Sequence, residues 1–331
     1  MLNALYCGSP DFSADTLDFL AASRRDEAGR ERFRIVGALT NVPSPKGRHG
    51  TPEPTPVGVR ALRAGIPVLA PDKLDAECRS AIAALKPDIL VCFAFGKTFG
   101  PKFLALFPLG GINLHPSLLP KYRGATPVPA AILNRERETG VSIPRILLEP
   151  DSGGVFCRRV MPLDGTETAE SLLNRAAALG AELLRDVLYY AAEHGRLPPE
   201  TPQDDAEATY CTRLTKTDGR IDWSQSAEEI DARIRAFYPR PGAFTYTGGE
   251  LLKVHRAAVF AREGTDAPPG TVCGIDRAAG ILVQAGRGIV ALQTLQRAAK
   301  RAVGWRDFIN GYPQFVGTAL ERSPHRANRA V

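Results

Sequence analysis

Hydrophobic and polar positions alternate along residues 1–200 in two different rhythms. Short, nearly continuous apolar runs predict buried strands at residues 2–8, 33–40, 88–95 and 110–117. Between these runs the apolar residues recur at helical spacing, as in the stretches 12–25 and 73–85. Strands that alternate with helices predict a parallel sheet covered on both faces.

The pattern changes in the second half of the chain. A long helical pattern covers 167–193, and a polar, proline-rich stretch follows it. Beyond that stretch, short β-like runs are separated by glycine turns, with one helical segment near 226–237, which predicts a small barrel or sandwich. We therefore predict a first domain over residues 1–193, a linker over 194–207 and a second domain over 208–331.

Residues 41–56 are rich in proline and glycine, and we predict that they lack regular structure. The stretch is basic at Lys46, Arg48 and His49. Such a loop is either a solvated surface feature or a segment that orders on a ligand near the active site. The sequence leaves both interpretations open.

Composition excludes several classes of protein. A chain of 331 residues allows two domains, and 44% hydrophobic with 24% charged residues is ordinary globular composition, not that of a disordered, collagen-like or coiled-coil chain. No apolar run reaches the roughly 18 residues of a membrane-spanning helix, and the N-terminus lacks the basic segment of a secretory signal. The six cysteines are scattered without a Cys-x-x-Cys pair, so we expect neither disulfides nor zinc, and a cytoplasmic location.

Charge is distributed unevenly along the chain. The net charge is +6, and residues 208–331 contain 18 Lys and Arg against 11 Asp and Glu, whereas the remainder is nearly neutral. A basic module suggests a polyanionic partner, but a solvated surface in an arginine-rich protein gives the same count. Charge alone leaves the two interpretations equal.

The segment 110–127 carries the most chemistry. Asn113 and His115 are two residues apart on a predicted strand, so their side chains point to one face, where an amide and an imidazole can bind an oxyanion and exchange a proton. Asp151 follows another apolar run and could orient that imidazole. A histidine satisfied at a strand end and an aspartate in a turn are the simpler interpretations of the same residues.

Other familiar motifs are missing from the sequence. The turn after the first strand, CGSPDFS, is not G-x-G-x-x-G, and no acidic residue ends the second strand, so nicotinamide binding is disfavoured. The chain also lacks a P-loop, an H-E-x-x-H metal motif and a G-x-S-x-G elbow. We therefore expect no metal site.

Together the motifs resemble the methionyl-tRNA formyltransferase family over essentially the whole chain. They are GSPDF (8–12), AFG (94–96), NLHPSLLP (113–120), YRG (122–124), GVSI (140–143), DSG (151–153), RIDW (220–223) and IRAF (234–237). The N-x-H-x-S-L-L-P run joined to a later Asp-Ser/Thr-Gly is highly specific to folate-dependent formyltransferases, and the last two motifs resemble this family's carboxy-terminal domain.

The resemblance implies an α/β fold, with a Rossmann-like formyltransferase domain followed by a tRNA-binding OB-like β-barrel. It implies transfer of a formyl group from 10-formyltetrahydrofolate to the amino group of methionyl initiator tRNA. Asn113 and His115 would donate to the oxyanion, and Asp151 would hold His115 and relay protons through water. The resemblance implies that the folate site is lined by Ser117, Leu118, Leu119 and Pro120. It also implies that the pterin would face backbone near Ala94, Phe95, Gly96, Val141, Ser142 and Ile143.

The expected tRNA-binding residues combine the charge pattern with the resemblance. They are Lys46, Arg48, Arg213, Lys216, Arg235, Lys253, Lys300 and Arg301. The chain departs from the family in three places. Gly154 replaces the second acid of Asp-Thr-Gly-Asp, Pro144 favours an edge or bulged strand, and the loop 42–49 keeps only Gly-Arg and scattered basic residues.

Four alternatives compete with this interpretation. A glycinamide ribonucleotide formyltransferase usually ends near the linker, whereas a sugar-nucleotide formyltransferase also has a carboxy-terminal barrel and is the main alternative. Hydrolysis of formyl-folate uses a similar triad. A nucleic-acid-binding protein on an inactive enzyme scaffold is disfavoured by the intact Asn113, His115 and Asp151. The sequence does not determine the oligomeric state, and a monomer is our default expectation.

Overall fold

The computed structural model describes residues 1–45 and 50–321. These divide into two compact units: the first comprises Met1–Pro127, Glu138–Pro162 and Leu173–Thr212, and the second Val128–Arg137, Leu163–Leu172 and the chain from Arg213. The structure thus draws the main boundary after Thr212 and not after residue 207. The stretch 194–207, predicted as a linker, belongs to the first unit, because Thr201 pairs with Val155 through two backbone hydrogen bonds.

Strands and helices alternate through the first unit, as predicted. The strands are β1 (Leu2–Gly8), β2 (Phe33–Leu39), β3 (Ser44–Pro45), β4 (Pro52–Glu53), β5 (Val68–Leu69), β6 (Ile89–Phe93), β7 (Gly111–Asn113), β8 (Arg123–Gly124), β9 (Glu138–Pro144), β10 (Val155–Pro162) and β11 (Tyr210–Cys211). The helices are α1 (Asp11–Ala22), α2 (Pro56–Arg63), α3 (Ala76–Ala84), α4 (Pro101–Leu104), α5 (Pro127–Leu133) and α6 (Ala169–His194), with a 3-10 turn at Asp205–Glu207. Helices α5 and α6 each begin in one unit and end in the other.

A parallel sheet of order β5-β2-β1-β6-β7 organises the first unit. Every residue of β6 is buried, as expected for a strand covered on both faces. One side of the sheet packs on an aromatic series, in which Phe95, Phe99, Phe103 and Phe107 contact in succession. The predicted parallel sheet is therefore confirmed.

Two local predictions needed correction. Residues 41–56 are not wholly irregular, because β3 and β4 form a short antiparallel pair and α2 begins at Pro56, where the Thr55 hydroxyl accepts from Gly58 N. The strand predicted over 110–117 ends at Asn113, and His115 then forms an isolated bridge with Ser142. Pro144 ends β9, which pairs with β10 through a register shift between Val155 and Cys157.

The second unit is built on an antiparallel sheet. Its strands are β12 (Ala243–Thr247), β13 (Glu250–Ala261), β14 (Val272–Asp276), β15 (Gly280–Gln284), β16 (Ile289–Arg297) and β17 (Val303–Gly304), and its helices are α7 (Ala227–Ala236) and α8 (Trp305–Gly311), with 3-10 turns at Lys216–Gly219 and Pro313–Phe315. The order is β12-β13-β16-β15-β14, with β17 beside β16. Ala319 pairs with Thr271 and Glu321 with Tyr246, so the last described residues close the sheet into an OB-like barrel.

Helix α7 covers the barrel core and begins at a capping box. The Ser226 hydroxyl accepts from Glu229 N, and the Glu229 carboxylate accepts from Ser226 N. Ile230 and Ile234 pack into the core, where the Trp223 indole donates to Thr245 Oγ1 at 3.0 Å. Among the described residues, no helix has the length and apolar character needed to cross a membrane.

Candidate active site

Asn113 and His115 lie at the carboxyl edge of the parallel sheet, where ligands bind in open α/β folds. Asn113 ends β7 opposite Cys92 of β6. Two residues later the backbone of His115 exchanges both hydrogen bonds with Ser142, each at 2.9 Å. This pairing fixes the main chain of His115 although the parallel strand has already ended.

The carboxylate of Asp151 joins these two side chains. Asn113 Nδ2 donates to Asp151 Oδ1 at 3.2 Å, and His115 Nδ1 lies 3.4 Å from the same oxygen. The His115 side chain is 4% exposed and that of Asp151 13%. The three residues proposed from the sequence therefore meet in one partly buried cluster, although Asp151 is 36 positions beyond His115 in the chain.

The backbone of the Tyr122–Gly124 turn completes the cluster. His115 Nε2 lies 2.8 Å from the carbonyl oxygen of Tyr122, so this nitrogen carries a proton and donates it, while Nδ1 faces Asp151. Gly124 N donates to Asp151 Oδ2 at 2.9 Å. Sequence reasoning assigned no role to this turn, although YRG is one of the motifs that carry the resemblance.

Backbone conformation makes this geometry possible. Tyr122 and Asp151 have φ values of 61° and 58°, and Gly124 has φ 112°. A Cβ atom on Gly124 would lie 2.3 Å from the carbonyl oxygen of Cys211, so only glycine fits there. Burial raises the pKa of the Cys211 thiol, whose sulfur lies 3.3 Å from the Arg123 carbonyl oxygen.

The loop 117–120 is held by Ser142. Ser142 Oγ donates to the Ser117 carbonyl at 2.7 Å and accepts from Leu119 N at 3.1 Å. Ser117 and Leu119 are buried, whereas Leu118 and Pro120 are half-buried. This loop therefore offers a ligand chiefly Leu118 and Pro120.

The loop after β6 contains two exposed residues in the left-handed conformation. Ala94 and Gly96 are exposed and take φ values of 55° and 81°, whereas the Phe95 side chain is buried. Asn41 Nδ2 donates to the Phe95 carbonyl at 2.8 Å, which anchors the loop. By contrast, Val141, Ser142 and Ile143 of β9 are fully buried, main chain included.

The expected tRNA-binding residues are held in different ways. Lys216 and Lys300 are exposed, as are Arg213 and Arg301, and Lys253 is half-buried on the outward face of β13. Lys46 and Arg48 lie outside the described residues.

Arg235 differs from that set. It forms an ion pair with Asp231 at 2.8 Å and donates to the Glu167 carbonyl at 3.0 Å. Burial raises the pKa of Asp231, although Arg235 opposes the shift. Because its guanidinium is bound within the second unit, Arg235 is the weakest candidate for a phosphate contact.

Within the described ranges, no group of three or more His, Cys, Asp or Glu side chains is arranged to hold a metal ion. A cavity of about 390 Å³ lies in the second unit. It is lined by Thr217, Asp218, Arg220, Asp222, Gln225 and Arg233.

Both units match families of known proteins. Residues 11–188 match the family described as formyl transferase, and residues 213–313 match the formyl transferase C-terminal domain. Among curated relatives, the methionyl-tRNA formyltransferase of Treponema denticola is 41% identical, and the match covers 97% of this chain and 100% of the relative.

Solved structures show the same fold. The methionyl-tRNA formyltransferase of Clostridium thermocellum aligns with a TM-score of 0.55 and 16% identity, over 78% of this chain and 93% of that chain. The N-formyltransferase of Helicobacter canadensis, solved with folinic acid and dTDP-3-aminofucose, aligns with a TM-score of 0.61 and 18% identity, over 88% and 99%. At these identities the likeness concerns the fold alone.

Proposed function

Because this chain belongs to the methionyl-tRNA formyltransferase family, we propose that it transfers the formyl group of 10-formyltetrahydrofolate to the amino group of methionyl initiator tRNA. It is a formyltransferase acting in translation initiation. The observation that carries the proposed mechanism is the convergence of Asn113 and His115 on one carboxylate oxygen of Asp151. An amide, an imidazole and a carboxylate suit acyl transfer to an amine.

While bonds change at the formyl carbon, the reaction must stabilise a negative charge on oxygen and move protons. The neutral amine forms a bond to the formyl carbon, and the carbonyl π electrons move to oxygen, which gives a tetrahedral oxyanion. When the oxyanion collapses, the bond to the folate nitrogen breaks. That nitrogen takes a proton, and the attacking amine loses one.

Each side chain has a role that its partners define. Asn113 Nδ2 carries two hydrogens, of which one goes to Asp151, so the second is available to the oxyanion. His115 Nε2 donates to the Tyr122 carbonyl, so Nδ1 is the nitrogen that exchanges a proton. Asp151 holds that edge of the ring and relays protons through water.

The folate co-substrate would lie beyond the carboxyl ends of β6 and β7. The exposed backbone at Ala94 and Gly96 suits hydrogen bonding to a flat heterocycle, and Leu118 with Pro120 supplies apolar surface. These residues fit a folate in kind, since such sites combine apolar side chains with a few fixed polar groups.

The tRNA substrate would be held by exposed basic residues of the second unit. The strongest candidates are Arg213, Lys216, Lys300 and Arg301, because each is exposed to solvent. Roles for Lys46 and Arg48 stay predictions, since both lie outside the described residues. A cytoplasmic location and a monomeric state also stay predictions.

The activity is tested by following a labelled formyl group. Purified full-length chain is incubated with labelled 10-formyltetrahydrofolate and either methionyl initiator tRNA or an amino-sugar nucleotide. We expect label only on the tRNA, at a rate that Asp151→Asn lowers strongly. Label on the sugar nucleotide would favour the alternative acceptor, and release as formate without an acceptor would favour hydrolysis.

A further inference from the structure

The segment 203–210, which follows α6, is hydrogen-bonded to the loop that carries Asp151. Gln203 Nε2 donates to the carbonyl oxygens of Asp151 and Gly153, at 2.7 and 2.6 Å. One side-chain amide therefore joins two carbonyls of the same tight turn. Asp151 adopts a left-handed conformation, which a non-glycine residue keeps only when its surroundings enforce it.

Arg123 fixes the direction in which that amide points. Its Nε donates to Gln203 Oε1 at 3.0 Å, which leaves the amide nitrogen facing the two carbonyls. The guanidinium also donates to Asp205 at 2.7 Å and to the Tyr210 hydroxyl at 3.2 Å. The Arg123 side chain is only 2% exposed, so these partners offset the cost of burying its charge.

The same segment also supports the other side of the cluster. Arg123 N donates to the Thr209 carbonyl, and Tyr122 N donates to Thr209 Oγ1, both at 2.8 Å. Tyr122 and Gly124 supply the backbone groups that meet His115 and Asp151. The segment therefore holds both the Tyr122–Gly124 turn and the loop that carries Asp151.

We propose that Gln203, oriented by Arg123, is a positioning residue that holds the carboxylate of Asp151 against Asn113 and His115. This inference rests on the role proposed above for Asp151. Gln203 lies outside the residues that the sequence pattern singled out, and it acts on Asp151 through the backbone. A misplacement of about 1 Å can cost a catalytic site roughly 10²-fold in rate.

Three full-length variants test the proposal. Gln203→Met keeps the length of the side chain and removes its hydrogen bonds, and Gln203→Glu keeps an acceptor for Arg123 but turns an oxygen toward two carbonyls. Glu207→Met is the control, because it places the same side chain at an exposed position of the same segment. We expect kcat to fall about 10- to 100-fold in both Gln203 variants, with KM for both substrates nearly unchanged.

A double variant separates positioning from general damage. If Gln203 acts through Asp151, Gln203→Met combined with Asp151→Asn should be about as slow as Asp151→Asn alone. Losses that multiply, or normal kcat in Gln203→Met, would overturn the inference. Folded state is checked by melting temperature and folate binding, and Gln203→Glu, which is nearly isosteric, serves if the Met variant does not fold.

Failure of the proposed function gives a different result. If Asp151→Asn keeps full turnover, the proposed role of Asp151 is wrong, and the positioning role falls with it. If Asp151→Asn is slow while Gln203→Met is normal, only the positioning role is wrong.

Discussion

The two units hold their functional polar groups in opposite ways. In the first unit the carboxylate of Asp151 accepts hydrogen bonds from Asn113 and Gly124 and contacts the His115 ring. That ring is almost wholly buried. In the second unit Lys216, Lys300 and Arg301 are exposed to solvent. An interlocked cluster is expected to fail as a whole, whereas exposed charges are expected to contribute in separate, salt-dependent steps.

The difference corresponds to the tasks that we propose for the two units. Acyl transfer needs donors fixed to within fractions of an ångström, which burial and shared partners provide. Attraction of a polyanion needs positive potential over a wide surface, which solvent-exposed side chains supply without fixed geometry. Substitutions in the two units should therefore differ in kind as well as in size.

The largest expected effect is that of His115→Ala. Loss of a positioned proton-transfer group typically costs about 10²–10⁴ in turnover. Single-turnover rates and folate binding measure it, and folate binding should change far less. His194→Ala, at the exposed end of α6, is the matched control. Near-normal turnover in His115→Ala would remove the ring from the mechanism.

The next effect concerns exposed charge in the second unit. Combined Lys216→Ala, Lys300→Ala and Arg301→Ala should raise KM for tRNA about 10-fold or more while kcat stays unchanged. The slope of log affinity against log salt should fall by about 0.9 for each phosphate that is no longer neutralised. The control removes three exposed lysines from the first unit, Lys73, Lys86 and Lys102. Equal effects of both sets would contradict the division of tasks.

Arg235→Ala tests the one expected tRNA ligand that is paired internally. Removing it leaves the half-buried Asp231 without its partner, so we expect a loss of about 2 kcal/mol in unfolding free energy with an unchanged salt slope. Burial raises the pKa of Asp231, so protonation restores stability and the loss should shrink as pH falls. Urea denaturation measures it, and Asp231→Asn/Arg235→Ala should recover part of the loss. A reduced salt slope would instead make Arg235 a phosphate ligand.

The smallest effect is expected at the cap of α7. Ser226→Ala removes a hydroxyl that accepts from Glu229 N, which typically costs about 1 kcal/mol. Hydrogen bonds from Ser226 lower the pKa of Glu229, so this contribution is present above the unfolded pKa and is lost as pH falls through the folded value. The difference from wild type should therefore be smaller near pH 3 than at pH 7. Ser224→Ala, just before the helix, is the control, and an unchanged tRNA KM is expected.

Local periodicity was sufficient for much of the fold. The run 2–8 forms a strand with those bounds, and the pattern at 167–193 forms a helix at Ala169–His194. Burial on two faces and helical spacing depend on residues that are close together in the chain, so they can be recognised without tertiary information. Asn113 and His115 also meet as predicted, but through the bridge from His115 to Ser142 and not through one strand that runs through both residues.

Only the tertiary structure decided which distant groups meet. The sequence alone placed Asn113, His115 and the basic last third, but it did not show that Asp151 reaches them. Nor did it show that the backbone of Tyr122 and Gly124 bonds to His115 and Asp151, or that Gln203 bonds to the Asp151 turn. The hydrogen bonds from Gly124 and Gln203 to Asp151 join residues 27 and 52 positions apart, and they depend on how turns and strands pack. Periodicity carries no information about such contacts. The stretch 194–207 has the composition of a linker, yet it belongs to the first unit, where its Thr201 pairs with Val155 and its Gln203 bonds to the Asp151 turn.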